Sequence, residues 1–571
     1  MPKVTVQGVG DINLDQRSFL AAGGQANVYV QGNVAYKLYH DPKNMIPLGK
    51  FQELSVLNHP QIVRPQSLLL DPKNNKPIGY TMQYVKDTSA LCQLFTKTFR
   101  QRNSITPEMM LKLVRMFHEM ITFVHGKSIL VVDMNEMNFL ADNKFSGIYA
   151  IDVDSYQTAN FKCPVIMDSV RDRHRTGDFN EGTDWFAWAI VSFQMLIGIH
   201  PYKGKNPKFD HLALDDRLNA RMEQNVSVFN PETNVPHVCQ PFDVIPPVLR
   251  SWYELVFDKG IRTAPPADYQ KLGQIVTKVT TVAGSNLFMI ADVGEYQGNV
   301  LGCAHGNGIR IVHTDRALYV NKQQMVCNRP NLKLGFTPKM NRPIAAWIDG
   351  GKIKIMDIQK QSEETIPIKA NDIMSYGGRI YLRSGTDVLE IEFTEFADRF
   401  IPTANTVGTV LDVLDATKVL DGVIMQNLLG RWVASIFPES GKCYQINIKE
   451  LDGYRVLDAK FENNVMMVVG EKGGKYDRFV FRFAPNYVAY DVRKVENVTY
   501  SGLNFTVADH GACACMNEEE KMEVMTSKKD APSVKIMDDP ALDSDMKLFH
   551  DGTKILFARG NKLYSISMKT K

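Results

Sequence analysis

Ile129-Leu-Val-Val-Asp133-Met-Asn-Glu-Met-Asn138-Phe-Leu, followed after a short turn by Tyr149-Ala-Ile-Asp152-Val-Asp154, is the stretch on which the reading of this chain turns. It sets out an Asp, four residues, an Asn, a hairpin and a second Asp. An Asp-x4-Asn pair alone is a common accident, so the neighbours decide. Upstream, Leu20-Ala-Ala-Gly23-Gly24-Gln-Ala-Asn-Val28-Tyr29 reads as a hairpin with a glycine bend, and Val34-Ala35-Tyr36-Lys37 as the next strand, ending in a lysine. Glycine lets a backbone approach phosphates closely, and a fixed ammonium offsets their charge. Downstream, Thr183-Asp184 opens an apolar run that ends in Gly198-Ile-His200-Pro201-Tyr202.

The chain has 571 residues, too many for one core, so two or more domains are expected. Hydrophobic residues make up 44% and charged residues 23%, which is ordinary for a soluble globular protein. A net charge of +3 gives no reason to expect nucleic acid or an anionic membrane as partner. The eight cysteines show no framework spacing, and Met1-Pro2-Lys3-Val4 shows no signal-peptide pattern, so reduced thiols and a cytoplasmic location are expected. The apolar run from Trp185 to Ile199 is shorter than the ~20 residues of a membrane span. Hydrophobic all round, it reads as a buried helix.

Residues 1 to about 283 mix short strands with helices. Thr106-Pro107 is a helix start, with Met110, Val114, Phe117, Ile121 and Val124 spaced for one buried face. A second helix is expected over Pro247 to Phe257, and Pro265-Pro266 helps close the domain. From residue 284 helical periodicity nearly disappears. Strand-like runs recur beside tight turns, as in Ile348-Asp-Gly-Gly-Lys-Ile-Lys-Ile355, Ser375-Tyr-Gly-Gly-Arg-Ile-Tyr-Leu382, Glu462-Asn-Asn-Val-Met-Met-Val-Val469 and His550-Asp-Gly-Thr-Lys-Ile-Leu-Phe557. The period of roughly 30 to 45 residues predicts an all-β domain over 284–571, a β-propeller of about seven blades, with two packed sandwiches as the competing architecture.

On these motifs, residues 1–266 resemble the protein kinase-like superfamily. More narrowly they resemble the bacterial kinase-like family associated with phosphatase 2C and tellurite-resistance-type modules. The narrower likeness lies in the glycine-bend opening Leu20 to Tyr29, in Asp152-Val-Asp154-Ser155-Tyr156-Gln157 and in Phe193-Gln194-Met195-Leu196-Ile-Gly198-Ile-His200-Pro201-Tyr202. The resemblance implies an α+β bilobal fold, with a small lobe of about 1–85 and a large lobe of about 86–283. It implies ATP and Mg2+ as cofactors. Gly23 and Gly24 would lie over the phosphates, Val28 and Ala35 would line the adenine pocket, and Lys37 would contact the α/β-phosphates. Met82 would guard the pocket, and Gln83, Tyr84 and Val85 would form the inter-lobe linker. Asp133 would orient the attacking hydroxyl and Asn138 and Asp152 would hold the metal. Asp184 would tie the catalytic loop to the buried helix, and Arg262 would brace the large lobe.

Four departures from the family pattern matter. Ala21 and Ala26 replace two loop glycines, which stiffens the loop. Val131-Val132 replaces His-Arg before Asp133, so control by a phosphorylated activation loop is not expected. Asp152-Val153-Asp154 replaces Asp-Phe-Gly, and Asp154 adds a carboxylate to the metal set. Finally, Lys50 occupies the register of the glutamate that pairs with the strand lysine, while Glu53, one turn on, is the candidate partner of Lys37. His510-Gly-Ala-Cys513-Ala-Cys515 offers three potential metal ligands, with buried thiols as the plainer reading. Arg171, Arg173, His174 and Arg175 read as a solvated loop or a dock for an acidic group. The leading expectation is a Ser/Thr protein kinase whose propeller recruits a protein substrate or partner. The rival is a catalytically inactive kinase-like scaffold in a larger assembly.

Overall fold

Short alternating runs dominate the sequence, and the computed structural model is mostly β, with few helices and many antiparallel sheets. It describes all residues except 1, 24, 164–165, 270–283, 322, 330, 413–415, 499–501, 526–533 and 570–571. One compact unit comprises residues 1–279 with 472–475, the other 280–471 and 476–571. Residues 270–283, on which the expected boundary at 283 falls, lie outside the described residues.

In the first unit, β1 (Lys3–Val6), β2 (Gly10–Asn13), β3 (Phe19–Ala22), β4 (Ala26–Gln31), β5 (Val34–Tyr39), β6 (Leu68–Leu70) and β7 (Pro77–Gln83) form one sheet. Its order is β2-β1-β6-β7-β5-β4-β3. Alternation places Val4, Val6, Phe19, Tyr29, Tyr36 and Leu69 in one core, from which water is excluded. β5 and β7 run so close that a Cβ on Gly79 would lie 2.1 Å from the Lys37 carbonyl oxygen, so only glycine fits beside Lys37. Between β5 and β6 the chain forms α1 (Leu48–Glu53).

A second sheet of β8 (Thr88–Ala90), β9 (Phe139–Asp142) and β10 (Ile148–Ala150) brings the Asp133 loop, which leads into β9, and Asp152, which follows β10, to the same end of an antiparallel hairpin. Around it stand α2 (Leu91–Leu94), α3 (Lys97–Arg102), α4 (Pro107–His125), α5 (Glu181–Ile197), α6 (Leu214–Glu223) and α7 (Pro247–Lys259). The Thr106 hydroxyl caps α4 by accepting from the Met109 N–H, with Pro107 in the first turn. Met110, Val114, Phe117, Ile121 and Val124 are all buried. Asn180 and Thr183 form a capping box on α5, whose side chains from Thr183 to Phe193 are all buried. No helix among the described residues is long and apolar enough to cross a membrane.

In the second unit the described residues form seven four-stranded sheets. Six are built from consecutive strands. The seventh joins Phe288–Glu295 to Lys562–Met568, Lys554–Arg559 and Lys547–Asp551, so the first strand of the unit pairs with the last. Two-residue turns join many strands. Gly350-Gly351 and Asn463-Asn464 both take positive φ, the hand that suits twisted hairpins. Each sheet shares a hydrophobic cluster with the next: Leu318 with Trp347, Ile355 with Leu382, Val388 with Ile424, Val423 with Phe481, Val465 with Phe505, and Met522 with Phe557. A further cluster joins Leu556 and Leu563 of the strand-exchanged sheet to Val312 and Tyr319 of the sheet at 300–326.

Candidate functional site

Lys37 stands on β5, opposite Val28 on β4 and Tyr80 on β7. Its ammonium donates to Asp152 Oδ1 at 2.7 Å and to Asp154 Oδ1 and Oδ2 at 3.1 and 2.9 Å. Two residues on along the same face of β5, the Tyr39 hydroxyl donates to Asp154 Oδ2 at 2.7 Å. Asp154 is buried, whereas the Asp152 side chain is 50% exposed. Burial pushes the Asp154 carboxyl up, but the Lys37 charge and the Tyr39 hydroxyl outweigh it and bring it down to about 2. Asp152 goes the other way. Lys37 draws it down, yet dehydration and the Asp154 charge leave it raised. Burial would lower the Lys37 pKa, but the two carboxylates reverse that and raise it.

The Asp133 loop is pinned from below. Asp184 is fully buried on α5. Its Oδ2 accepts from Val131 N–H at 2.8 Å and its Oδ1 from Val132 N–H at 2.9 Å. Oδ2 also meets His125 Nε2, at the end of α4, at 2.9 Å. With both amides turned down, Val132 takes φ 63, a costly conformation for a β-branched residue, held by the surrounding bonds. Asp133 follows with its carboxylate in the site. Its Oδ1 accepts from Met167 N–H at 2.8 Å and its Oδ2 from Asn135 Nδ2 at 2.9 Å. Burial raises the Asp133 pKa against these donors. Asn138 Nδ2 donates to the Asp133 carbonyl at 2.9 Å, which fixes the amide and leaves its oxygen as acceptor. Asp152 follows β10 in the left-handed region, φ 57 and ψ 33. An amide oxygen and a half-exposed carboxylate are the hard ligands that suit Mg2+.

Glu53 does not pair with Lys37. Its carboxylate accepts from Asn160 Nδ2 at 2.6 Å. α1 ends at Glu53 after six residues, so it presents Glu53 to the segment after Tyr156. Asp154 takes the carboxylate role beside Lys37 instead. Of the nucleotide residues, Gly23 is exposed and donates its N–H to Ala26 O at 2.8 Å, and Gly24 lies outside the described residues. Ala35 is buried and lies opposite Met82, while Val28 and Met82 are half-buried. Gln83 is exposed, Tyr84 and Val85 are half-buried, and Tyr84 N–H donates to Asn33 O at 2.9 Å. Arg262 meets Asp172 with both forks, Nε to Oδ2 at 2.7 Å and Nη2 to Oδ1 at 2.9 Å, and lies 4.2 Å from the centre of the Phe186 ring.

Sequence reading missed Tyr39, His125, Asn135 and Asp172. Only Tyr39 carried a signal, its i+2 spacing from Lys37 on a strand. Arg173 is bonded to Asp168 and Asn219, His174 to Met222 O, and Arg175 to Gly177 O, so this loop is internally satisfied at those residues. Cys513 and Cys515 are buried in an apolar cluster, and burial pushes the Cys515 thiol up to about 12. No group of metal-ligating side chains occurs among the described residues around them.

No protein-family model and no curated protein matches the chain. Among solved structures it is similar to the kinase PK-1 of Cydia pomonella granulovirus, at 13% identity and a TM-score of 0.29, over 36% of this chain and 76% of that one. It is also similar to Hsv2 of Kluyvelomyces marxianus, at 11% identity and a TM-score of 0.30, over 48% of this chain and 98% of that one. At these TM-scores neither likeness carries an argument about fold or function.

Proposed function

We propose that residues 1–283 form a bilobal kinase-like domain that binds ATP and Mg2+ and transfers the γ-phosphate to a Ser/Thr hydroxyl of a protein. We further propose that residues 284–571 form a seven-bladed propeller that recruits the substrate or a partner. The observation that carries the first part is the meeting of Lys37 with Asp152 at 2.7 Å, across 115 residues of chain. Phosphoryl transfer asks for positioning and charge neutralisation rather than covalent chemistry, and bound Mg2+ supplies part of that neutralisation. Asn138 and Asp152 would hold the metal, Lys37 the phosphates, and Asp133 would orient the attacking hydroxyl and take its proton. Its raised pKa strengthens it as a base. For the second part, the shared clusters run through all seven sheets and return to the first, which supports a closed ring.

One observation favours the rival, a non-catalytic scaffold. Both oxygens of Asp133 already accept hydrogen bonds, from Met167 and Asn135. Two variants separate the readings. Asp133→Asn is expected to abolish radiolabel transfer from ATP to a generic protein while leaving ATP affinity nearly intact. Asp152→Ala is expected to weaken Mg·ATP binding. Equal transfer by wild type and Asp133→Asn sinks the assignment. A wild type that gains no thermal stability from ATP, with or without Mg2+, is a scaffold.

A further inference from the structure

His200 lies in the turn that follows α5 and is buried. Dehydration pulls its pKa down to about 3, so the ring is neutral and carries a single proton. The Tyr202 N–H donates to Nδ1 at 3.1 Å, which places that proton on Nε2. Nε2 in turn donates to the Ser169 carbonyl at 2.8 Å. A neutral, buried histidine bonded at both nitrogens is a strut rather than a proton carrier.

The strut holds a short helical turn over Asp168–Val170, with Met167 standing just before it. The turn is fixed at each of its three residues. Val170 is buried, and its N–H donates to the Met167 carbonyl at 3.2 Å. Ser169 is held by His200, and Arg173 Nη2 donates to the Asp168 carbonyl at 3.2 Å. So held, the turn presents the Met167 N–H to Asp133 Oδ1 at 2.8 Å, across 34 residues of chain.

A base works only when its acceptor oxygen is aimed at the proton it takes. An ionised carboxylate has about four acceptor positions, two on each oxygen. Met167 takes one on Oδ1 and Asn135 one on Oδ2, which fixes the carboxylate plane and leaves each oxygen a second position for an incoming hydroxyl. The two donors are not equivalent. Asn135 sits on the same loop as Asp133 and moves with it, whereas Met167 ties the carboxylate to a separate segment.

We propose that Met167 and His200 are positioning residues for Asp133: the Met167 amide aims the carboxylate, and His200 holds the turn that presents the amide. The inference rests on the phosphoryl-transfer reading above.

The test uses the full chain, with Mg·ATP as donor and casein as acceptor. Met167 already has φ −67 and ψ 137, which suit a proline, so Met167→Pro deletes the N–H at a compatible backbone. It is expected to lower kcat about tenfold, a part of what a well-placed base supplies, with KM for Mg·ATP within about twofold. Met167→Ala keeps the N–H and is expected to leave kcat within about twofold. His200→Phe removes the donor but fills the space, and is expected to lower kcat in the same way. His200→Gln places an N–H at the same number of bonds from the backbone and is expected to restore most of it. A Met167→Pro chain with wild-type or higher kcat overturns the inference and leaves the phosphoryl-transfer reading standing. Equal losses in His200→Phe and His200→Gln, or a KM that rises as much as kcat falls, mark a packing role and also overturn it. If Met167→Pro does not fold, the two His200 variants decide by the same criteria. A wild type that neither phosphorylates casein nor hydrolyses Mg·ATP removes the phosphoryl-transfer reading and this inference together.

Discussion

The two halves of the chain hold their key contacts in opposite ways. In residues 1–279 the groups that meet are distant in sequence: Lys37 and Asp152 are 115 residues apart, Arg262 and Asp172 are 90, and Asp184 and Val131 are 53. Each centres on a charged side chain that makes two or more hydrogen bonds. In residues 284–569 nearly every strand pairs with its neighbour across a short turn, and the same kind of apolar cluster recurs between successive sheets. The first half thus concentrates its geometry in a few buried polar anchors. The second spreads its stability over many similar apolar contacts, and its first and last strands, Phe288–Glu295 and Lys562–Met568, pair over a long separation, joined there by charged contacts such as Arg310 with Asp551. Loop closure over long separations is entropically costly, so contacts of that kind must be strong or numerous.

The sharpest way to break this contrast is at Asp184. Asp184→Asn keeps the volume but removes a buried charge that serves Val131, Val132 and His125. The expected cost is about 4 kcal/mol to the first half, the scale of removing one partner from a buried charged network. It would be read as a lowered unfolding transition that no longer responds to ATP. A shift confined to a few tenths of a kcal/mol would mean that the anchors are redundant. In the second half Leu563→Ala and Leu382→Ala form a matched pair, both side chains being buried in clusters between sheets. If the ring is closed, both cost about 3 kcal/mol by urea unfolding, the usual scale for a leucine core truncation. A cost under about 1 kcal/mol at Leu563 beside about 3 at Leu382 would show that the last sheet frays, and the propeller reading would fail.

The same contrast explains what the sequence disclosed. Signals carried by adjacent residues were legible. The Thr106-Pro107 cap, the apolar face of α4 and the Gly-Gly and Asn-Asn turns each state their local geometry within a few residues. The recurrence of those turns also indicated the number of β units. Partners chosen by tertiary packing were not legible. Glu53 was assigned to Lys37 by helical spacing, but the length and end of α1 send it to Asn160, and Asp154 takes its place. Asp172 gave no sign that it would receive Arg262, because nothing local links positions 90 residues apart. The pairing of Phe288–Glu295 with Lys562–Met568 was hidden for the same reason.

The smallest expected effect lies at His550, and it tests whether three neighbouring sheets of the second half act together. His550 Nδ1 pairs with Glu462, and the Thr506 hydroxyl donates to the same carboxylate at 2.8 Å. Lys460 and Asp509 also face this group. Burial alone would lower the histidine pKa, but Glu462 reverses that and raises it above 6.5. Burial would raise Glu462, but Lys460 and His550 bring it down to about 2. The sign follows from linkage. The histidine binds its proton more tightly when folded, so its stabilisation is complete below pH 6.5 and fades as pH rises through the raised value. The glutamate contributes above its ordinary 4.5 and loses that contribution only as pH falls toward about 2. Stability from this pair is therefore greatest between pH 4.5 and 6.5. His550→Gln is expected to remove the histidine's share, under about 1 kcal/mol because the side chain is partly solvated, at pH 6 and almost none of it at pH 9. Urea midpoints of wild type and variant at the two pH values give the comparison. A gap of the same size at both would make His550 a packing residue, with no titrating contribution to the joint between the three sheets.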